Sequence, residues 1–109
     1  MQLQFRGKGV EVSDSVRLYA ERKLARLERQ VPDLRVELEI ALEKNPSIAA
    51  RNIASATVHS GGTIVRAHEA ATGWEAAIDL TVDKLERQLV KAREKRRRRV
   101  AVPEPRVEL

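Results

Sequence analysis

The sequence predicts an α+β fold in the order β-α-β-β-β-α, a four-stranded sheet with two helices packed on one face. Three observations predict it. Leu34, Val36, Leu38, Ile40 and Leu42 alternate with Arg35, Glu37, Glu39, Ala41 and Glu43, the period of a strand with one buried and one wet face. Apolar residues recur at helical spacing in two separate stretches, from Val16 to Val31 and from Ile78 to Ala92. Between those stretches, Gly61 and Gly62 supply the positive φ that a tight hairpin turn requires.

Taken in order, Leu3 and Phe5 alternate with Gln2, Gln4 and Arg6, and Gly7 and Gly9 break the pattern, which makes a short first strand and a turn. Ser13 or Asp14 caps the first helix, whose stripe is Val16, Ala20, Leu24, Leu27 and Val31 with Tyr19 at its edge. Pro32 and Asp33 end it. After the second strand, Lys44 to Ser47 form a loop, and strands over about Ile53 to His59 and Thr63 to Glu69 pair antiparallel across the glycines. The facing of this pair is the least determined feature, because Ala54, Ala56 and Val58 are a weak apolar set and His59 and His68 interrupt the alternation.

Thr72 and Glu75 stand at capping-box spacing before the second helix, and Ile78, Val82, Leu85, Leu89 and Ala92 form its stripe. The helix continues to about Arg99. One domain over residues 1–99 and a flexible tail over 100–109, containing Pro103 and Pro105, are therefore expected.

The bulk composition narrows the function. Only three aromatic residues are present, Phe5, Tyr19 and Trp74, too few to build both a core and a base-stacking surface. There is no cysteine, which excludes disulfides and thiolate metal sites. The opening MQLQFRGKGV resembles no signal peptide and no apolar run reaches membrane-spanning length, so a cytoplasmic protein is expected, with no membrane partner.

Charge carries the strongest functional signal. The net charge is +5, but Lys84 to Arg99 alone holds nine basic residues against Glu86 and Glu94, so the remainder of the chain is acidic on balance. Such concentration points to a polyanionic partner. On a helical projection Lys84, Arg87, Lys91, Lys95 and Arg98 share one stripe, while Asp79, Asp83 and Glu86 fall on the other polar flank. Arg22, Arg26 and Arg29 occupy the outer face of the first helix with Lys23 at its side. If both helices cover one face of the sheet, their outer faces make one basic surface suited to phosphate. A solvated charged surface with no ligand is the plainer reading of the same residues.

Catalysis is not indicated. His59 and His68 lack a third ligand, Glu37 and Glu39 project from one side of a strand, and Ser47, Ser55 and Ser60 stand in no nucleophile motif. No enzyme activity, cofactor, metal or small-molecule substrate is expected.

The second helix, AAIDLTVDKLERQLVKAREK, resembles the signature helix of the ribosome hibernation promoting factor family. The opening MQLQFRGKGVEVSDSVRLYAERKLARLE resembles that family's first strand and helix, and the glycine turn with the VRA that follows it also fits. The resemblance spans about residues 1–98. It implies a fold similar to a double-stranded RNA-binding domain. It further implies binding to 16S rRNA of the small ribosomal subunit at the decoding region, which excludes mRNA and tRNA and inhibits translation in stress or stationary phase.

By position, Lys23, Arg26, Lys84, Arg87, Lys91, Arg93 and Lys95 match the family's basic residues, and Gln88 fits the motif as a contact to a sugar or base edge. With Arg22 and Arg98 from the charge pattern, these are the expected rRNA-binding residues. Gly73, Trp74 and Glu75 replace an acidic-aromatic-tyrosine segment common in the family, so a tyrosine contact is not expected there. Some members pair two ribosomes through a second domain or partner factors, and the chain is expected to be either a short factor or the N-terminal part of a long one. The competing expectations are a general double-stranded RNA binder and a protein-interaction module using the sheet edge.

Overall fold

The computed structural model describes residues 1–31 and 33–101, with side chains described up to Lys95. Its elements are β1 (Gln2–Lys8), α1 (Asp14–Glu28), β2 (Arg35–Leu42), β3 (Asn52–Ser60), β4 (Thr63–Ala71) and α2 (Trp74–Ala101). The expected β-α-β-β-β-α order is the observed one. The sheet order is β1-β2-β3-β4, with β1 parallel to β2 and the other pairs antiparallel. A parallel neighbour requires a crossover, and α1 supplies it.

The register decides the facing that periodicity left open. Val36, Val58 and Val65 share one row, and Leu38, Ala56 and Ala67 share the next, with Phe5 beside Leu38. All of these are buried, so Ala54, Ala56 and Val58 belong to the core face in spite of their small size. His59 and His68 lie on the opposite, open face. Both helices cover the core face: α1 contributes Ala20, Leu24 and Leu27, and α2 contributes Ala77, Ile78, Val82, Leu85 and Leu89.

Small residues at Ala54, Ala56 and Ala67 let α2 seat closely on β3 and β4. Thr81, fully buried, donates its hydroxyl to the Ala77 carbonyl at 2.8 Å and lies 3.3 Å from the Ala54 carbonyl, so its polar atom is satisfied within the contact. Arg17 reaches back to β1, its guanidinium 5.5 Å from the Phe5 ring centre.

Element ends depart from the expectations in three places. Ser13 caps α1, its hydroxyl accepting from the Val16 amide at 3.2 Å, but the helix stops at Glu28 instead of running to Pro32. The amides of Gln30 and Val31 both donate to the Leu27 carbonyl, which unwinds the last turn, and Asp33 then takes a φ of 52° as the chain reverses. The second departure is at the start of α2, where the Ala77 amide donates to the Gly73 carbonyl and makes Gly73 the cap residue. The Thr72–Glu75 capping box is thus one residue out of register. The backbone of α2 is helical to Ala101, slightly beyond the expected end, and the rest of the expected tail lies outside the described residues.

Two glycine sites are fixed by geometry. Gly61 and Gly62 have φ of 52° and 84° and close the β3–β4 hairpin between the paired residues Ser60 and Thr63. At Gly7, a Cβ would sit 1.9 Å from the Val10 carbonyl oxygen, an impossible approach to backbone.

The helices meet along a polar seam. The Tyr19 hydroxyl donates to Asp79 Oδ1 at 2.6 Å. This bond to the carboxylate, with burial and the negative charges of Asp79, Glu75 and Asp83, pushes the phenol up to about 12 from its usual 10.

Two outcomes follow for the fold. Gly7→Ala should lower stability by about 1–3 kcal/mol in urea denaturation followed by circular dichroism, because the Val10 backbone must move. Tyr19 is the sole tyrosine, so ultraviolet titration reads it alone and should show a midpoint near 12, with Asp79→Asn returning it toward 10. Since the folded-state value is the raised one, the bond's contribution to stability is complete below pH 10 and is lost as pH rises from 10 to about 12.

Candidate nucleic-acid interface

With its apolar stripe on the sheet, α2 has three remaining flanks. Each carries a different charge. The flank toward α1 holds Asp79, Glu86 and Arg93, spaced by seven residues and therefore in line. Every one of them meets α1 or the turn after it: Asp79 with Tyr19 and Lys23, Glu86 with Arg26 and Gln30, and Arg93 with the Gln30 carbonyl at 2.9 Å.

The outward flank holds Arg87, Lys91 and Lys95. All three are exposed and have no ion-pair partner among the described residues. The flank toward β4 holds Lys84 and Gln88, one turn apart. Lys84 Nζ lies 3.1 Å from Glu69 Oε2 at the edge of β4, and Gln88 is half-buried beside it.

The expected binding residues therefore divide by environment. Arg22, Arg87, Lys91 and Lys95 are exposed cations without a carboxylate partner among the described residues. Lys23 and Arg26 are ion-paired, Lys23 Nζ at 3.1 Å from Asp79 and Arg26 Nη2 at 3.6 Å from Glu86. Lys84 is paired to Glu69, and Arg93 is tied to backbone while its side chain stays exposed. The side chain of Arg98 lies outside the described residues. The two helices do cover the same face of the sheet, but their cations are not one uninterrupted surface. The acidic flank of α2 lies between them and neutralises the inner edge of α1.

Sequence reasoning missed the open face of the sheet. A cleft of about 480 Å³ lies there, lined by Arg6, Ser55, Arg66 and His68, with Lys84 and Gln88 at its rim. Arg6 Nε pairs with Glu39 at 3.1 Å, and Ser55 Oγ lies 2.8 Å from His68 Nδ1. The strand alternation that marks the core also marks these residues as coplanar, a signal available once the facing of β3 and β4 is known. His59 Nε2 lies 3.8 Å from Glu37, and among the described residues no group of three His, Cys, Asp or Glu is placed to hold a metal ion. No helix among them is long and apolar enough to cross a membrane.

Known proteins are similar to this chain in sequence and fold. The family described as Sigma 54 modulation protein / S30EA ribosomal protein matches residues 3–97. A ribosome hibernation promotion factor of Deinococcus radiodurans is 39% identical over 107 residues, which cover 94% of this chain and 55% of that protein. A ribosome hibernation promoting factor of Azotobacter vinelandii is 38% identical over 96 residues, covering 87% of this chain and 85% of the relative. The chain thus spans about half the length of some relatives and most of the length of others. A ribosomal subunit interface protein from Coxiella burnetii superposes with a TM-score of 0.74 at 26% identity, over 86% of this chain and 99% of that one. By sequence along nearly its whole length and by fold, the chain belongs to the Sigma 54 modulation protein / S30EA ribosomal protein family.

Proposed function

We propose that the chain is a cytoplasmic ribosome hibernation factor that binds 16S rRNA of the small ribosomal subunit at the decoding region. There it occupies the path of mRNA and tRNA and inhibits translation by exclusion, with no reaction catalysed. The observation that carries this reading is the exposed row Arg87, Lys91 and Lys95 on α2, three cations with no ion-pair partner among the described residues, in a family named for the ribosome.

Buried apolar residues hold one side of α2 against the sheet, so the row is presented on a rigid scaffold and pays little ordering entropy on binding. Arginine offers a planar fork and lysine a point charge to phosphate oxygens, contacts that position the protein without reading sequence. Arg22 extends the contact onto α1. Lys23, Arg26, Lys84 and Arg93 join it by exchanging an internal partner for phosphate, Gln88 supplies an uncharged donor near Lys84, and Arg98 is included on its spacing in the sequence alone. The names of the relatives and of the Coxiella structure support a ribosomal partner.

Sedimentation with isolated small subunits, large subunits and free duplex RNA, at low and high salt, tests the reading. Selective retention by the small subunit is expected, with affinity falling steeply as salt rises. Equal retention on all three would replace it with general duplex-RNA binding. Replacing Arg87 and Lys91 by Glu should weaken subunit binding by at least about tenfold and flatten the salt dependence by roughly two units, one per lost phosphate contact. Undiminished binding by that variant would move the interface to another surface, such as the sheet edge.

A further inference from the structure

The two acidic residues in the seam between the helices are built alike. Asp79 Oδ1 accepts from the Tyr19 hydroxyl at 2.6 Å and faces Lys23 Nζ at 3.1 Å. Glu86 accepts from Gln30 Nε2 at 2.7 Å through one oxygen and faces Arg26 Nη2 at 3.6 Å through the other. Each carboxylate is therefore held by one uncharged donor and one cation of the α1 side. Along α1 and the turn after it, at positions 19, 23, 26 and 30, the two cations lie between the two uncharged donors.

This duplication separates two jobs. Tyr19 and Gln30 keep the carboxylates in place whatever the cations do. Lys23 and Arg26 are on partly exposed side chains, with 24% and 52% of their area accessible, and their ion pairs are of the weak, exchangeable kind. A phosphate that approaches Lys23 or Arg26 meets a cation whose charge is already offset, beside a carboxylate held in place to repel it. Arg87 and Lys91 on the outward flank of α2, with no ion-pair partner among the described residues, present no such obstacle.

Resting on the RNA-binding reading above, we propose that Asp79 and Glu86 are specificity-determining residues that screen Lys23 and Arg26 from unselected polyanions. An RNA that touches α1 alone meets a neutralised edge. An RNA surface that spans both helices gains Arg22, Arg87 and Lys91 at the same time, and these contacts offset the exchange at the seam. Discrimination then comes from the fixed repulsion as much as from attraction.

The test compares the wild-type chain with the Asp79→Asn and Glu86→Gln variants, single and double, on free duplex RNA and on isolated small subunits across a salt series. Both substitutions keep an oxygen that accepts from Tyr19 or Gln30 while removing the charge. The double variant is expected to bind duplex RNA about tenfold more tightly at low salt, with a salt slope steeper by roughly two units. Its affinity for the small subunit should change less, so selectivity falls. Adding Lys23→Ala and Arg26→Ala should abolish the gain on duplex in the double variant. Unchanged duplex affinity and slope in all three variants would overturn the inference. So would a gain that survives loss of Lys23 and Arg26. Failure of the wild-type chain to bind small subunits would overturn the proposed function instead, and the duplex comparison would still decide whether the carboxylates screen.

Discussion

The contact on which the rest of the molecule depends is the close seat of α2 on β3 and β4. Alanines at 54, 56 and 67 clear the sheet surface, Ile78, Val82, Leu85 and Leu89 fill it, and Thr81 satisfies its own hydroxyl inside the contact. Fixing one side of a helix fixes the direction of every other side chain on it. The acidic flank is then turned to α1, the unpaired cations outward, and Lys84 and Gln88 to the edge of β4. Charge sorting on α2 thus becomes a spatial arrangement only because its apolar stripe leaves a single way to lie down.

That arrangement also explains why a helix so rich in basic residues packs beside another with the same character. Lys23 and Arg26 would face a basic neighbour if α2 were rotated by a third of a turn. Asp79 and Glu86 meet them instead, and Arg93 caps the seam by donating to the Gln30 carbonyl just past the end of α1. Helix packing draws on Lys23 and Arg26 and leaves Arg87, Lys91 and Lys95 exposed, without an ion-pair partner among the described residues.

Much of the fold was legible in the residues because burial imposes a period. β2 announces itself by strict alternation, the two stripes mark the helices, and the paired glycines mark the hairpin. The facing of β3 was not legible, since alanine is a weak apolar signal until the register sets Ala56 beside Leu38. Element ends were missed at α1, where the Leu27 carbonyl takes two amides, and at α2, where Gly73 and not Thr72 is the cap residue. Of the candidate site, the outward row on α2 was readable from helical period alone. The partners of Lys23, Arg26 and Lys84 were not, because Asp79, Glu86 and Glu69 are distant in sequence and meet them only through tertiary packing.

The parallel pairing of β1 has a consequence for the order in which the molecule opens. β2, β3 and β4 are joined by short reversals, whereas β1 meets β2 across 33 residues, as in the Arg6–Glu39 pair. Closing that long stretch demands more chain entropy than closing a hairpin. Beyond that pairing, β1 is fastened by the core contacts of Leu3 and Phe5, by Arg17 to the Phe5 carbonyl and by the Met1 amino group to Glu28. β1 and α1 are therefore the segment expected to detach first in a subglobal opening, which earlier amide exchange there than in β2–β4 would register. The cations of α1 thus sit on the segment held by the long closure, and any ligand that bridged α1 and α2 would act as a further fastening.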